Sequence, residues 1–448
     1  MTTSPCDVHP APVTNRVLGS TTSPNPAIFT KTIAIDLPDT ALDALIRLLP
    51  RHQPLAWVRR GDGIVGWGEL DRITTSGEQR FELAQEYWNR VRAAATVEDQ
   101  VRLPGTGPVA FGSFAFSRAS AHESVLIIPK VIVGRRGDTA WLTVLTTYPA
   151  ELDQPLSLED LAPEAQTVTS PGAMEFSDAS VASADWVQIV AQAIGRIKAG
   201  ELEKIVLARD VTGTSEHPID PRHLLSRLAK GYENCWTFSV DTMVGATPEL
   251  LVRTEKGLVT SRVLAGTIQR TADEVTDTAR AAMLAHSSKD LEEHEYAVVS
   301  VATALKPYCT SLNVPETPFV LHLPNVLHLA SDVTAVLDAT SHATSLVLAQ
   351  ALHPTAAVCG TPTQDAADVI LEIEEMDRAR YAGPVGWVGA DGDGEWGIAL
   401  RSGSLDPSNP HEIRLFAGCG IVAASDPQSE LAETKAKLAP MVWALDTK

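Results

Sequence analysis

The chain has 448 residues, enough to bury a large core as one big domain or two ordinary ones. It carries 36 Lys and Arg against 56 Asp and Glu, a net charge of −20. That argues against nucleic acid or an anionic membrane surface as a partner, since both need clustered positive charge. The five cysteines (Cys6, Cys235, Cys309, Cys359, Cys419) are odd in number and widely spaced, with no C-x-x-C, so they read as thiols of a reducing compartment. No apolar run approaches the roughly 18 residues of a membrane span, and MTTSPCDVHPAPVTN has no apolar signal core. A cytoplasmic location is expected.

In chain order, residues 1–28 are rich in Pro, Ser and Thr without apolar periodicity, and predict a disordered tail. LAWVRRGDGIVGWGEL (55–70) predicts a hairpin around Gly61-Asp62-Gly63, and FELAQEYWNRVRAAA (81–95) a helix. GPVAFGSFAFS (107–117) and TAWLTVLTTY (139–148) read as strands, and the polar stretch 149–180 as a long connection. DWVQIVAQAIGRIKAG (185–200) has helical periodicity ended by Gly200, and EKIVLARDVTG follows as a strand. Residues 237–266 predict a hairpin, 272–305 a long helix, and 382–403 two strands around Asp391-Gly392-Asp393-Gly394. Strands in adjacent hairpins favour an α+β fold with largely antiparallel sheet.

Two motifs mislead. ADGDGE lacks the later glutamate of a calcium loop and reads as a hairpin turn. AGCGIVA (417–423) fits a dinucleotide fingerprint in form, but too little chain follows it for the βαβ unit. It reads as a glycine-rich turn that approaches something closely, with N–H groups able to hold an anion.

Two acidic helices carry more weight. SELAETKAKL (429–438) places Glu430, Glu433 and Lys437 within about 60° of arc, beside the apolar stripe of Leu431, Leu438 and Leu445. Asp426-Pro427 supplies an N-cap and first helical residue. In SSKDLEEHEYAVVSVATAL (287–305), Asp290 and Glu293 share a face with His294 beside them. Either acidic turn alone suits a helix N-terminus. Carboxylates from two helix faces together can hold a hard cation such as Mg2+. Lys204 opens a strand, Glu249 sits in VGATPELLVR, and Arg401, in GIALRSG, ends a strand, where it suits capture of a carboxylate.

VGATPELLVR, VLAGTIQR, SSKDLEEHEYAVV, LPNVLHLAS, ALHPTAAVCGTP, GWVGADGDGEWGIALRSG, RLFAGCGIVAASDP and SELAETKAKL occur in one order. Together they resemble the chorismate-utilising enzymes, which include isochorismate, salicylate, anthranilate and aminodeoxychorismate synthases. The resemblance is dense over 186–448 and weak over 29–180. It implies one α+β domain over 29–448, with two stacked, largely antiparallel sheets, helices outside and a deep site between. It also implies chorismate as substrate, Mg2+ as cofactor, a monomer and no glutaminase subunit.

By the same resemblance, Glu293 and Glu433 match the metal-binding glutamates, with Asp290 and Glu430 behind them. Lys437 matches the cation that meets the substrate carboxylate. Arg401 and the backbone of Gly418, Cys419 and Gly420 match the groups that hold the enolpyruvyl carboxylate. Gly266, Thr267, His328, Ala357 and Tyr381 fall among the substrate contacts. Lys204 matches the general base of the water-using members, and Glu249 the acid that must be protonated to release the C4 hydroxyl.

Three positions separate the branches. Lys204 disfavours the ammonia-using anthranilate branch. Ala265 stands where aminodeoxychorismate synthases carry a lysine, and Ala357 where salicylate synthases carry threonine. The isochorismate reaction is therefore expected, feeding menaquinone or siderophore synthesis. A salicylate synthase with an atypical Ala357, an anthranilate synthase component I, which Lys204 argues against, and a catalytically silent relative are the alternatives.

Overall fold

The computed structural model describes residues 27–446 apart from Ala165 and Ala272. The predicted tail at 1–28 lies outside the described residues except at its end, where Ile28 is already buried in the core. The chain folds by hairpins. Arg60 (φ 53°) and Gly61 (φ 80°) both adopt left-handed geometry, closing a two-residue turn between Leu55–Arg59 and Asp62–Thr75. The turn falls one residue earlier than the glycine pattern suggests.

The long strands Asp62–Thr75 and Ser124–Arg136 pair with each other and form a seam. From one side an arm runs through Leu55–Arg59, Trp236–Val240, Met243–Thr247, Ser402–Leu405 and Glu412–Ile421 to Lys204–Ser215. From the other side, a second arm runs through Val109–Ser113, Pro384–Gly389, Gly394–Ile398, Leu250–Glu255 and Leu258–Gln269 to Val326–Leu337. Every pairing in both arms is antiparallel. Phe29–Ile35 with Thr96–Asp99 is a parallel pair at the margin.

The two expected sheets are thus two layers of one hydrogen-bonded network. They face each other closely. Trp57 of the first arm donates its indole N–H to Glu395 of the second at 2.9 Å. A β-carbon on Gly397 would lie 2.9 Å from both Thr247 Cγ2 and the Trp57 ring. Glycine there lets the layers meet.

Two expectations change. The long helix at 272–305 is two helices, Glu274–Ala285 and Ser288–Leu305, because the Ser287 hydroxyl accepts from Asp290 N and starts the second. The connection at 149–180 is not structureless, since Met174–Asp178 pairs along Lys204–Ser215. The helices Ser183–Lys198 and Pro427–Leu445 form as read, the latter capped by Asp426 with Pro427 at its first turn.

Candidate active site

The ends of both arms and the two acidic helices enclose one cavity. In Leu258–Gln269 the register against Val326–Leu337 slips between Ala265 and Thr267, leaving Gly266 as a bulge at φ 79°. A side chain at 266 would meet the Asp290 β-carbon at 3.1 Å, so glycine lets the Ser288–Leu305 helix approach the strand. Beyond the bulge Thr267 lies opposite His328, with Thr267 Oγ1 and His328 Nδ1 3.0 Å apart.

Arg401 is non-glycine backbone at φ 48°, a strained position that directs its guanidinium at His328 Nε2, 3.2 Å away. Arginine can only donate, so Nε2 accepts and the His328 proton sits on Nδ1, facing Thr267. Burial, then Arg401 and Lys437, hold the His328 pKa well below its ordinary value, and the ring is neutral.

The glycine-rich segment is a strand, which corrects the expected turn. Gly418, Cys419 and Gly420 lie in Glu412–Ile421, paired opposite Ala208, Leu207 and Val206. Their role is space. A β-carbon on Gly420 would sit 2.9 Å from Glu293 Oε1 and 3.0 Å from Lys204 Cε. Gly418 O accepts from Lys437 Nζ at 2.9 Å, so at this residue the main chain faces the cavity. Ladder alternation gives Gly420 the same orientation.

Lys204 is 2% exposed, so it is no surface lysine. Its Nζ lies 2.8 Å from Glu293 Oε1. Lys437 makes the matching contact across the site, 2.6 Å from Glu433 Oε1. Burial draws the Lys437 pKa down, but Glu433 more than offsets this, and the net shift is upward. Glu249 follows the Met243–Thr247 strand and is fully enclosed. Burial raises its pKa to about 8, against the opposing pull of Lys204, a main-chain hydrogen bond from Leu264, and Arg401. At neutral pH this carboxyl holds its proton.

All the predicted site residues except Lys204 line the cavity; Lys204 reaches its edge through Glu293. Tyr381 stacks on Phe416 with ring centroids 5.2 Å apart, and Ala357 presents only a methyl group to the cavity. Among the described residues no three carboxylate, imidazole or thiol groups converge as a metal cluster. Asp290, Glu293, Glu430 and Glu433 face one space and repel one another, and two lysines supply the counter-charge. The donor set is nonetheless all hard carboxylate oxygen, which fits Mg2+.

Sequence reasoning missed one buried pair. Arg378 lines the cavity and forms an ion pair with Glu374, donating also to Val206 O at 2.7 Å and Val358 O at 3.0 Å. Glu374 in turn accepts from Ala208 N at 2.8 Å. The pair fixes the Lys204–Ser215 strand against the loop that bears Ala357. Its trace in the sequence is the i, i+4 spacing in EEMDRARY.

A family model described as chorismate binding enzyme matches residues 27–446. The chain belongs to the chorismate-binding enzyme family. MenF of Bacillus subtilis, an isochorismate synthase, is 32% identical over 405 residues, 85% of each chain. DhbC of the same organism, also an isochorismate synthase, is 43% identical over 272 residues, 58% of this chain and 67% of that one. The crystal structure of a DhbC from Bacillus anthracis superposes with a TM-score of 0.73 at 32% identity, covering 91% of this chain and all of that one. Anthranilate synthase component I from Streptococcus pneumoniae shares the fold, with a TM-score of 0.66 at 20% identity. The bulge at Gly266, the strained Arg401 and the open strand at Gly418 all border one cavity.

Proposed function

We propose that this chain isomerises chorismate to isochorismate, adding water at C2 of the ring as the C4 hydroxyl departs. The observation that carries the reading is the enclosed Glu249, its pKa raised by burial to about 8, in a cavity lined by Arg378, Arg401 and Lys437 with the buried Lys204 at its edge. An acid still protonated at neutral pH can give its proton to a leaving hydroxyl. Lys204 is the base that takes a proton from the attacking water. Arg401 and Lys437 bind the substrate carboxylates, and His328, neutral and fixed by Thr267, orients Arg401.

Glu293 and Glu433 are the groups that would hold Mg2+, with Asp290 and Glu430 beside them; when bound, the ion offsets the charge of the ring carboxylate. Lys204 must be neutral to take the proton of the attacking water, and its Nζ lies 2.8 Å from Glu293 Oε1, on one of the carboxylates that would hold the ion. Ala357, without a hydroxyl, favours release at isochorismate over loss of pyruvate.

Chromatography of chorismate incubated with the purified protein, with and without Mg2+, tests this. Isochorismate alone, at a partial equilibrium, is expected. Salicylate with pyruvate would assign the bifunctional chemistry instead, and untouched chorismate would make the chain a silent relative.

A further inference from the structure

The helix Pro427–Leu445 carries a proline in its interior, Pro440, four residues beyond Ala436. Proline has no N–H, so the Ala436 carbonyl loses the i+4 donor that an interior helical carbonyl ordinarily meets. Such a carbonyl needs a donor from elsewhere. Asn325 supplies it from 111 residues away, donating through Nδ2 to Ala436 O at 3.0 Å. The direction is fixed, because a carbonyl can only accept. Among the described residues the buried Oδ1 of Asn325 accepts nothing, and Ala436 O is the side chain's one hydrogen-bond partner.

The two ends of this contact belong to different walls of the active site. Ala436 precedes Lys437 and lies three residues after Glu433. Asn325 immediately precedes the strand Val326–Leu337 and stands three residues before His328. Asn325 is itself held to the sheet, since its carbonyl accepts from Arg270 N at 3.0 Å, just past the strand Leu258–Gln269. Arg270 also donates to Leu323 O at 3.1 Å and pairs with Asp277 at 2.8 Å, bracing the turn that bears Asn325. His328 in turn accepts from Arg401. The contact therefore joins the frame that sets Arg401 to the helix that sets Lys437.

We propose that Asn325 is a positioning residue for the substrate. It replaces the N–H that Pro440 removes, and so fixes the spacing between Lys437 and Arg401, which must hold two carboxylates of one dianion together. This rests on the reading of the site given above, in which both cations bind substrate carboxylates. Lys204 and Glu249 stand on other segments, so substrate capture depends on the contact and the chemical step does not.

Steady-state turnover of chorismate by the full-length protein at saturating Mg2+ tests this. Asn325→Ala should raise KM about tenfold and change kcat by less than about threefold. Pro440→Ala returns an N–H to position 440, and in that background Asn325→Ala should move KM by no more than about twofold. Asn325→Asp keeps the shape of the side chain but lacks the donor, and should raise KM at least as far as Asn325→Ala. Urea unfolding reads the same contact apart from turnover: Asn325→Ala should lower the midpoint, and lower it less in the Pro440→Ala background. A KM unmoved by Asn325→Ala, or raised equally in both backgrounds, overturns the proposal. Coupling in urea without a change in KM overturns the positioning role alone. Native protein that leaves chorismate untouched overturns the reading of the site, and this role with it.

Discussion

Glu249 holds a proton that water would remove, and that carries a cost in stability. Its folded pKa of about 8 exceeds the ordinary carboxylate value, so between those values the folded protein binds the proton more tightly than the unfolded chain does. Its contribution therefore falls as pH rises, by on the order of 3 kcal/mol at pH 7. Glu249→Gln should abolish turnover yet raise stability, and the gain should be larger at pH 8 than at pH 5 in urea unfolding. In the intact enzyme the same proton predicts that turnover declines as pH rises through about 8. Lys204→Ala should lower kcat by about 100- to 10,000-fold with an unchanged circular dichroism spectrum. Turnover that survives would remove Lys204 as the base. The chemistry of both residues is legible in the sequence only through the motifs around them. Local sequence reads Lys204 as a surface lysine and Glu249 as a strand-edge acid.

At the scale of elements, the helices Ser288–Leu305 and Pro427–Leu445 form from local signals. Both have capping residues and acidic first turns. Each helix presents a glutamate to a lysine, and only one of the two contacts is encoded locally. Lys437 lies one turn along from Glu433, so that contact is readable as i, i+4. Lys204 comes to Glu293 from a different strand, and nothing in either segment announces it. Glu433→Gln should raise the Mg2+ concentration for half-maximal activity several-fold while leaving the fold intact; a titration curve that does not move would take Glu433 off the ligand set. Gly420→Ala tests the strand between the helices. The new methyl group would press on Glu293 Oε1 and Lys204 Cε, both side-chain atoms that can shift. Turnover should fall by about 10- to 100-fold through misplacement, with little change in melting temperature.

For the whole molecule, the seam between Asp62–Thr75 and Ser124–Arg136 decides where the two arms lie, and their facing surfaces decide how closely they pack. Gly397 is the tightest test of that packing. A β-carbon there meets Thr247, Trp57 and the Glu249 carbonyl within 3.0 Å. Gly397→Ala should destabilise the protein by about 1–3 kcal/mol, read as a lowered urea midpoint. An unchanged midpoint would mean that the layers have slack. The chain carries a net charge of −20, and the active-site cavity sets Arg378, Arg401 and Lys437 against its own carboxylates.

The sequence by itself determined the alternation of hairpins and helices, the family, and the set of residues that gather in one cavity, because periodicity, capping and motif order are properties of adjacent residues. It did not determine that Gly418–Gly420 is a paired strand, that 272–305 breaks at Ser287, or that Lys204 and Glu293 are partners. Those were decided by the tertiary structure. A glycine's purpose depends on which atoms would occupy its missing side chain, and a buried charge settles on whichever opposite charge the fold brings within reach.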